Sequence, residues 1–235
     1  MKFLGLIPAR GGSKSIPHKN IVDLSGKPLL SYTIEAAQGS RHLDRVILST
    51  DDAEIAEVGR SYGVEIPFMR PEELARDDTP SIEVVAHILD WLKENESWQP
   101  EAVVLLQPTS PLRTAVHIDE AVDLFVAKKA DTVVSVIEVP HRFSPYSIMQ
   151  LEDGYLRDFW TEDVEFDRYR RQEMPKLYAR NGPAILVTKT DVILDSNSFY
   201  GSKVIPYIMR EEVSIDIDNY HDLELASAII ENPVK

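Results

Sequence analysis

Two short stretches near the ends of the 235-residue chain contain the residue types that bind phosphate and metal ions. The first, IPARGGSKSIPHKN, places Arg10, Lys14 and Lys19 around the pair Gly11 and Gly12. Glycines let backbone N–H groups approach a ligand closely, and the cations supply charge. The stretch is neither a Walker loop nor a dinucleotide-binding glycine motif. By its own residues it fits either a phosphate site or a surface turn.

The second stretch, SIDID, places Asp216 and Asp218 two residues apart. On an extended chain the two carboxylates share a face, about 6–7 Å apart by the strand rise, while Ile215 and Ile217 face the core. Paired carboxylates suit Mg²⁺, which prefers oxygen ligands and phosphate oxygens. By itself, the pattern is more typical of a half-exposed strand with acids facing water.

A third polar stretch, LLQPTSPLRT, offers Gln107, Thr109, Ser110 and Arg113 after an apolar run. The same residues also suit a proline-shaped connection from a strand to a helix. The three stretches support one another, because loop cations with a carboxylate pair in reach make a metal–polyphosphate site. Such chemistry depends on positioning and charge neutralisation more than on a covalent nucleophile.

A sheet is needed to bring these stretches together, and the sequence predicts one. Apolar runs alternate with helical patterns, which indicates an α/β fold with a doubly wound, mainly parallel sheet. In such a sheet ligands bind beyond the carboxyl ends of the strands, where the three stretches fall. The predicted strands cover residues 3–7, 45–49, 64–68, 102–106, 132–139, 184–187 and 204–207.

Capping residues predict where the helices between these strands begin. Gly63 is suited to end the second helix, because glycine adopts the left-handed conformation at a helix C-terminus. The predicted starts are marked by Pro28 as a first helical residue, Asp51 or Asp52, Thr79 followed by Pro80, Thr114 and Asn219.

Residues 141–180 break the alternation and contain eight of the nineteen aromatic residues of the chain. We predict an inserted subdomain here, with short strands around a turn at Asp153 and Gly154. A solvated linker is the alternative, but linkers rarely contain so many aromatic residues. A subunit interface or a cover over the active site is the expected role.

Composition excludes several classes of function. The formal net charge of −14 argues against a general nucleic-acid binder, which needs a basic face. The absence of cysteine excludes thiolate zinc sites and cysteine nucleophiles in this chain. No apolar run is long enough to span a membrane, and the N-terminus is a poor signal peptide. A cytoplasmic location is therefore expected.

Six stretches together resemble the signature of the N-acylneuraminate cytidylyltransferases, the CMP-sialic acid synthetases. In that family's order they are IPARGGSKSIPHKN, STDDAEIAEV, RPEELARDDTPS, LLQPTSPLR, RNG and SIDID. The resemblance implies transfer of CMP from CTP to the anomeric hydroxyl of a nine-carbon keto acid sugar, with release of pyrophosphate. It also implies a Rossmann-like nucleotidyltransferase fold, Mg²⁺ as cofactor, and a homodimer in which residues 141–180 form the interface.

The resemblance further implies roles for individual residues. The triphosphate would be contacted by Arg10 and Lys19, with Lys14 as a third cation. The nucleoside would be contacted by Asn20, Arg70 and Thr79. The sugar would be contacted by Ser81, Gln107 and Arg180. Asp216 and Asp218 would hold Mg²⁺, and either Asp216 or a metal-bound hydroxide would take the proton of the sugar hydroxyl.

The chain departs from the family pattern at Pro183 after RNG, in YARNG, and in HRFSPY at 141–146, where sugar specificity would be decided. Sialic, legionaminic and pseudaminic acids all remain candidate sugars. A transferase for the eight-carbon sugar Kdo is a rival, although its loop would end in a PGKPL-like run rather than PHKN. A non-catalytic nucleotide-binding homologue is disfavoured by the intact cations and SIDID. A GT-A glycosyltransferase would carry its paired aspartates after a mid-chain strand.

Overall fold

The computed structural model describes residues 1–161, 171–182 and 184–232. The strands are β1 Phe3–Pro8, β2 Asp23–Leu24, β3 Lys27–Pro28, β4 Arg45–Ser49, β5 Ala102–Leu105, β6 Thr132–Glu138, β7 Met149–Glu152, β8 Tyr155–Asp158, β9 Tyr178–Arg180, β10 Leu186–Lys189 and β11 Val204–Ile208. The α-helices are α1 Leu29–Gln38, α2 Ala53–Ser61, α3 Ser81–Glu96, α4 Ala115–Lys128, α5 Thr190–Ser196 and α6 Tyr220–Glu231.

A seven-stranded sheet forms the centre of the described structure, in the order β11-β6-β10-β5-β1-β4, with β9 paired to β6. Strands β1, β4 and β5 pair in parallel, as do β6 and β11. Strand β10 is antiparallel to both β5 and β6, so these two neighbours run in the same direction. Five strands therefore run one way, and the predicted mainly parallel α/β sheet is confirmed.

Helices cover both faces of this sheet, as the continuous apolar runs predict. Along β1, Phe3 and Ile7 belong to one apolar cluster, with residues of α1, α2 and α4. Leu4 and Leu6 point the other way, into a second cluster with residues of α3 and α5. Alternate side chains of one strand are thus buried on opposite faces.

Most of the predicted helix boundaries are confirmed. Asp52 caps α2 by accepting hydrogen bonds from the amides of the first turn, and Gly63 follows the C-terminus with a φ of 74°. Thr114 and Asn219 cap α4 and α6, each within a capping box. These local signals are sufficient because each cap bonds within its own helix turn.

Four local predictions are wrong. Residues 64–68 form no strand beyond a single bridge from Glu65 to Ile47. SIDID is irregular, without a strand partner. Pro80 is itself the N-cap of α3, and the Thr79 hydroxyl instead donates to the Glu73 carbonyl at 3.2 Å. Helix α1 begins at Leu29, one residue after Pro28, the predicted first helical residue.

Strands β7 and β8 form a hairpin separate from the central sheet. Its turn lies at Asp153 and Gly154, both with positive φ, where the sequence predicts it. The rest of the aromatic segment includes residues 162–170, which lie outside the described residues, as does Pro183. The division of the chain at 141–180 into an inserted subdomain stays a prediction.

None of the helices in the described ranges is both long and apolar enough to cross a bilayer. The expected cytoplasmic location stays a prediction.

Candidate active site

A cavity of about 560 Å³ lies at the carboxyl ends of β1 and β5. Parallel neighbouring strands present their carboxyl ends together, so the loops that follow them meet there. Gly11, Arg180, Asp216 and Asp218 are not among the lining residues. The predicted site residues that do line it are Arg10, Gly12, Lys14, Lys19, Asn20, Arg70, Thr79, Ser81 and Gln107.

The two glycines of the first loop have different environments. A Cβ on Gly11 would lie 2.4 Å from an Asp52 carboxylate oxygen, so only glycine allows the loop to pack against this residue. The Gly11 amide donates to Asp51 at 3.2 Å and is therefore used within the protein. Gly12 lines the cavity and has open space at its Cβ position. Gly12, rather than Gly11, is therefore the glycine at which a ligand can approach the backbone closely.

Lys19 joins the first loop to the SIDID stretch. Its ammonium donates to the Ile217 carbonyl at 2.9 Å and lies 3.6 Å from an Asp218 oxygen. Only 16% of the Lys19 side chain is exposed, so it has little conformational freedom. The fold thus brings one cation of the first loop, Lys19, to the carboxylate pair that stands about two hundred residues away in the sequence.

The other two loop cations share one carboxylate. Arg10 lies 2.6 Å from an Asp77 oxygen, and Lys14 contacts the other oxygen of the same group. Both ion pairs hold the pKa of Asp77 below its usual range, and the pair with Lys14 has the larger effect. Asp77 also lines the cavity. The sequence reasoning missed this residue, although it lies within RPEELARDDTPS.

Asn20 and Arg70 form parts of the cavity wall that are tied to the backbone. The Asn20 amide donates to the Arg10 carbonyl at 2.9 Å, which holds the loop in place. Arg70 is buried and donates to the hydroxyl and carbonyl of Ser49 at 3.0 and 2.5 Å. Burial lowers the pKa of Arg70 to about 10, so the guanidinium is still charged at neutral pH.

Arg113 supports the strand-end loop from inside the protein. Its guanidinium donates to the carbonyls of Gln107 and Ala184 at 3.1 and 2.7 Å, and to the Thr33 hydroxyl. Complete burial lowers its pKa to about 9. Arg113 therefore supports the strand-end loop and is not one of the residues that line the cavity.

Asp216 is the half-buried member of the carboxylate pair, whereas the side chain of Asp218 is 79% exposed. One Asp216 oxygen, Oδ1, is buried with no hydrogen-bond partner among the described residues. Burial raises the pKa of Asp216, and the charge of Asp218 adds to the rise, whereas the Thr109 hydroxyl and, more weakly, the charge of Lys19 oppose it. An unpaired buried oxygen beside a second carboxylate fits a hard cation, which would satisfy that oxygen.

The RNG stretch lies against Asp216 at its glycine and bonds to the start of SIDID through its asparagine. A Cβ on Gly182 would lie 2.4 Å from Asp216 Oδ2, and Gly182 has a φ of 60°. Buried Asn181 accepts from the Ser135 hydroxyl at 2.7 Å and has its amide 3.0 Å from the Ser214 hydroxyl, at the start of SIDID. Glycine adopts a positive φ readily, so the glycine of RNG is the local sequence signal for this turn.

Arg180 is exposed on edge strand β9. Its guanidinium donates to the Tyr200 hydroxyl at 3.0 Å and lies 5.6 Å from the centre of that ring. The structure therefore does not bring Arg180 to the cavity wall with the other predicted sugar contacts, Ser81 and Gln107.

The family model described as cytidylyltransferase matches residues 4–232. The N-acylneuraminate cytidylyltransferase of Escherichia coli O18:K1:H7 is 38% identical over 97% of this chain and 52% of its own length, so the chain spans about half of that relative. The CMP-N,N'-diacetyllegionaminic acid synthase of Legionella pneumophila is 33% identical over 98% of this chain and 97% of its own. The pseudaminic acid cytidylyltransferase of Campylobacter jejuni serotype O:2 is 32% identical over 97% and 96%.

Among solved structures, a CMP:2-keto-3-deoxy-manno-octonic acid synthetase complexed with CTP matches all of both chains with a TM-score of 0.74. Its sequence identity to this chain is 14%, so the likeness concerns the fold alone.

Proposed function

This chain belongs to the cytidylyltransferase family, and from that premise we propose that it transfers CMP from CTP to the anomeric hydroxyl of a sialic-acid-like nonulosonic acid. Pyrophosphate is the second product. The observation that carries the proposal is the bond from Lys19 to the Ile217 carbonyl, between the two aspartates. It joins a loop suited to phosphate with a carboxylate pair suited to Mg²⁺.

The proposed reaction is an in-line attack of the anomeric oxygen on the α-phosphorus of CTP. Arg10 and Lys19 neutralise the triphosphate, and their positions are set by Asn20 and by the Ile217 carbonyl. Asp216 and Asp218 would hold Mg²⁺, which would supply positive charge to offset the negative charge of the phosphate oxygens. The chain's residues thus contribute binding, orientation and charge rather than a covalent nucleophile.

The nucleoside occupies the part of the cavity bounded by Arg70 and Thr79, and the sugar the part near Ser81 and Gln107. Relatives that match this chain over nearly their whole length are named for legionaminic and pseudaminic acids. They support a nonulosonic acid as acceptor. The eight-carbon alternative is supported by likeness of fold alone.

The exposed β7–β8 hairpin supports a homodimer. Leu151 and Leu156 pair across the hairpin, and Tyr155 and Phe159 are also exposed. A lone two-stranded hairpin is marginal in water, and an exposed apolar patch marks an interface. Sedimentation equilibrium should therefore give twice the monomer mass, and Leu151→Glu with Leu156→Glu should return it to the monomer mass. A monomeric wild-type protein would contradict the proposal.

The function is tested by incubating the protein with CTP, Mg²⁺ and a panel of N-acetylneuraminate, legionaminate, pseudaminate and Kdo. We expect pyrophosphate release with a nine-carbon acid, loss of turnover in EDTA, and recovery on adding Mg²⁺. Release with Kdo alone would establish the rival substrate. No release with any sugar, from protein with a cooperative unfolding transition, would refute the enzyme assignment.

A further inference from the structure

The Asp77 carboxylate forms ion pairs with Arg10 and Lys14, the two cations of the first loop that remain for phosphate besides Lys19. Its two oxygens are divided between Arg10 and Lys14, one oxygen to each. All three side chains line the same cavity. A carboxylate bridging two cations in this way resembles two oxygens of a phosphate group.

We propose that Asp77 is a specificity-determining residue, an internal anion that competes with the polyphosphate of the nucleotide for Arg10 and Lys14. The inference rests on the proposed function and deepens it, because it concerns how the same site selects ligands by phosphate charge. A triphosphate or pyrophosphate displaces the carboxylate, whereas a nucleoside without phosphates leaves it in place.

The exposure of the three side chains makes this exchange feasible. The Asp77 and Lys14 side chains are 47% and 82% exposed, and that of Arg10 is 36% exposed. Exposed ion pairs are weak because water and salt screen them. A ligand with several negative charges on adjacent phosphates can therefore replace a single carboxylate. Lys19 is not part of the exchange, since it is held by the Ile217 carbonyl.

The segment that carries Asp77 is bonded mainly to itself. Its backbone hydrogen bonds, among the residues that the structure describes, run from Leu74 to Pro71, from Ala75 to Glu72 and from Thr79 to Arg76. The Thr79 hydroxyl bonds to Glu73 in the same segment. Residues 71–78 can therefore shift between Arg70 and Thr79 without breaking a hydrogen bond to the sheet.

Competition of this kind weakens binding of CTP and of pyrophosphate by the same factor. As pyrophosphate leaves, Asp77 returns to Arg10 and Lys14 and opposes rebinding of the product. The cytidine moiety, which lies near Arg70, is unaffected. Asp77 thus lowers the affinity of the site for CTP and favours the release of pyrophosphate.

The test is calorimetric titration of the full chain with CTP, inorganic pyrophosphate and cytidine, using the wild type, Asp77→Asn and Asp78→Asn. Asp78 is the matched control, because it is exposed, adjacent and without an ion pair in the described structure. We expect Asp77→Asn to bind CTP and pyrophosphate about 3- to 10-fold more tightly, with unchanged affinity for cytidine. Asp78→Asn should change none of the three by more than about twofold.

Each other result overturns the inference. Equal tightening in both variants would indicate a general effect of removing one negative charge. Unchanged or weaker binding in Asp77→Asn would show that the carboxylate does not compete with phosphate. A wild-type chain that binds neither CTP nor pyrophosphate would overturn the proposed function together with this inference. Normal wild-type binding with no change in Asp77→Asn overturns the inference alone.

Discussion

Replacing Gly182 with alanine tests whether the RNG turn positions the proposed metal ligand Asp216. The added Cβ would lie 2.4 Å from Asp216 Oδ2 and 2.8 Å from its Cγ, whereas ordinary contact begins at 3.4 Å. The carboxylate or the turn must therefore move by about 1 Å. Alanine must also adopt a φ of 60°, which L side chains rarely do.

Both effects can be given a magnitude. The left-handed backbone conformation costs about 1–2 kcal/mol for a residue with a Cβ. For a chain of this size that corresponds to a fall in Tm of about 2–8 °C. A displacement of about 1 Å at a catalytic group costs on the order of 100-fold in rate. We therefore expect Gly182→Ala to lose far more activity than its stability loss explains.

The assay is steady-state pyrophosphate release at saturating CTP and Mg²⁺, with Tm measured in the same buffer. Gly26→Ala is the matched control, because Gly26 has a φ of 84° but nothing within 4 Å of its Cβ position. It should show a similar fall in Tm with activity within about twofold of the wild type. If Gly182→Ala retained the activity of Gly26→Ala, the contact with Asp216 would have no role in positioning.

Two further substitutions test the assigned roles. Asp216→Asn should reduce turnover by a factor on the order of 100 or more, because it removes a carboxylate that would bind Mg²⁺ beside the phosphates. Normal turnover in this variant would contradict the metal assignment. Burial raises the pKa of Asp216, so ionisation of this carboxyl destabilises the folded protein as pH rises. The Tm of Asp216→Asn should therefore exceed that of the wild type by an amount that grows from acid to neutral pH. Arg180 does not line the cavity, but the family resemblance implies that it contacts the sugar. If it does, Arg180→Lys should raise KM for the sugar at least about threefold more than KM for CTP, because a point charge replaces a planar fork. Equal changes in the two KM values would exclude a specific role at the sugar.

Much of the fold follows from local patterns. Continuous apolar runs predict strands covered on both faces, and the caps at Asp52, Thr114 and Asn219 predict helix starts, because each depends on neighbours within a few residues. The direction of β10 does not follow in this way. A short apolar run is buried equally well in either direction, so the pairing of β10 with β5 and β6 is decided by the packed sheet.

The wrong prediction for SIDID has a physical cause. Alternating isoleucine and aspartate is typical of a strand, but here Ile217 is buried and bonded to the Thr109 carbonyl, without a strand partner. The same alternation arises because one side chain enters the core while the next faces the site. Periodicity reports which way side chains point and does not identify the bonding partner of the backbone.

By itself the sequence determined the fold class, the family signature and the residue types of the site, because these depend on composition and short-range order. Only the tertiary structure showed that Gly11 packs on Asp52 and that Arg113 is buried and supports the strand-end loop. It also showed that Asp77 forms ion pairs with two cations of the first loop. These contacts join residues far apart in the chain. Their partners are set by how loops meet at the sheet edge, which no local pattern encodes.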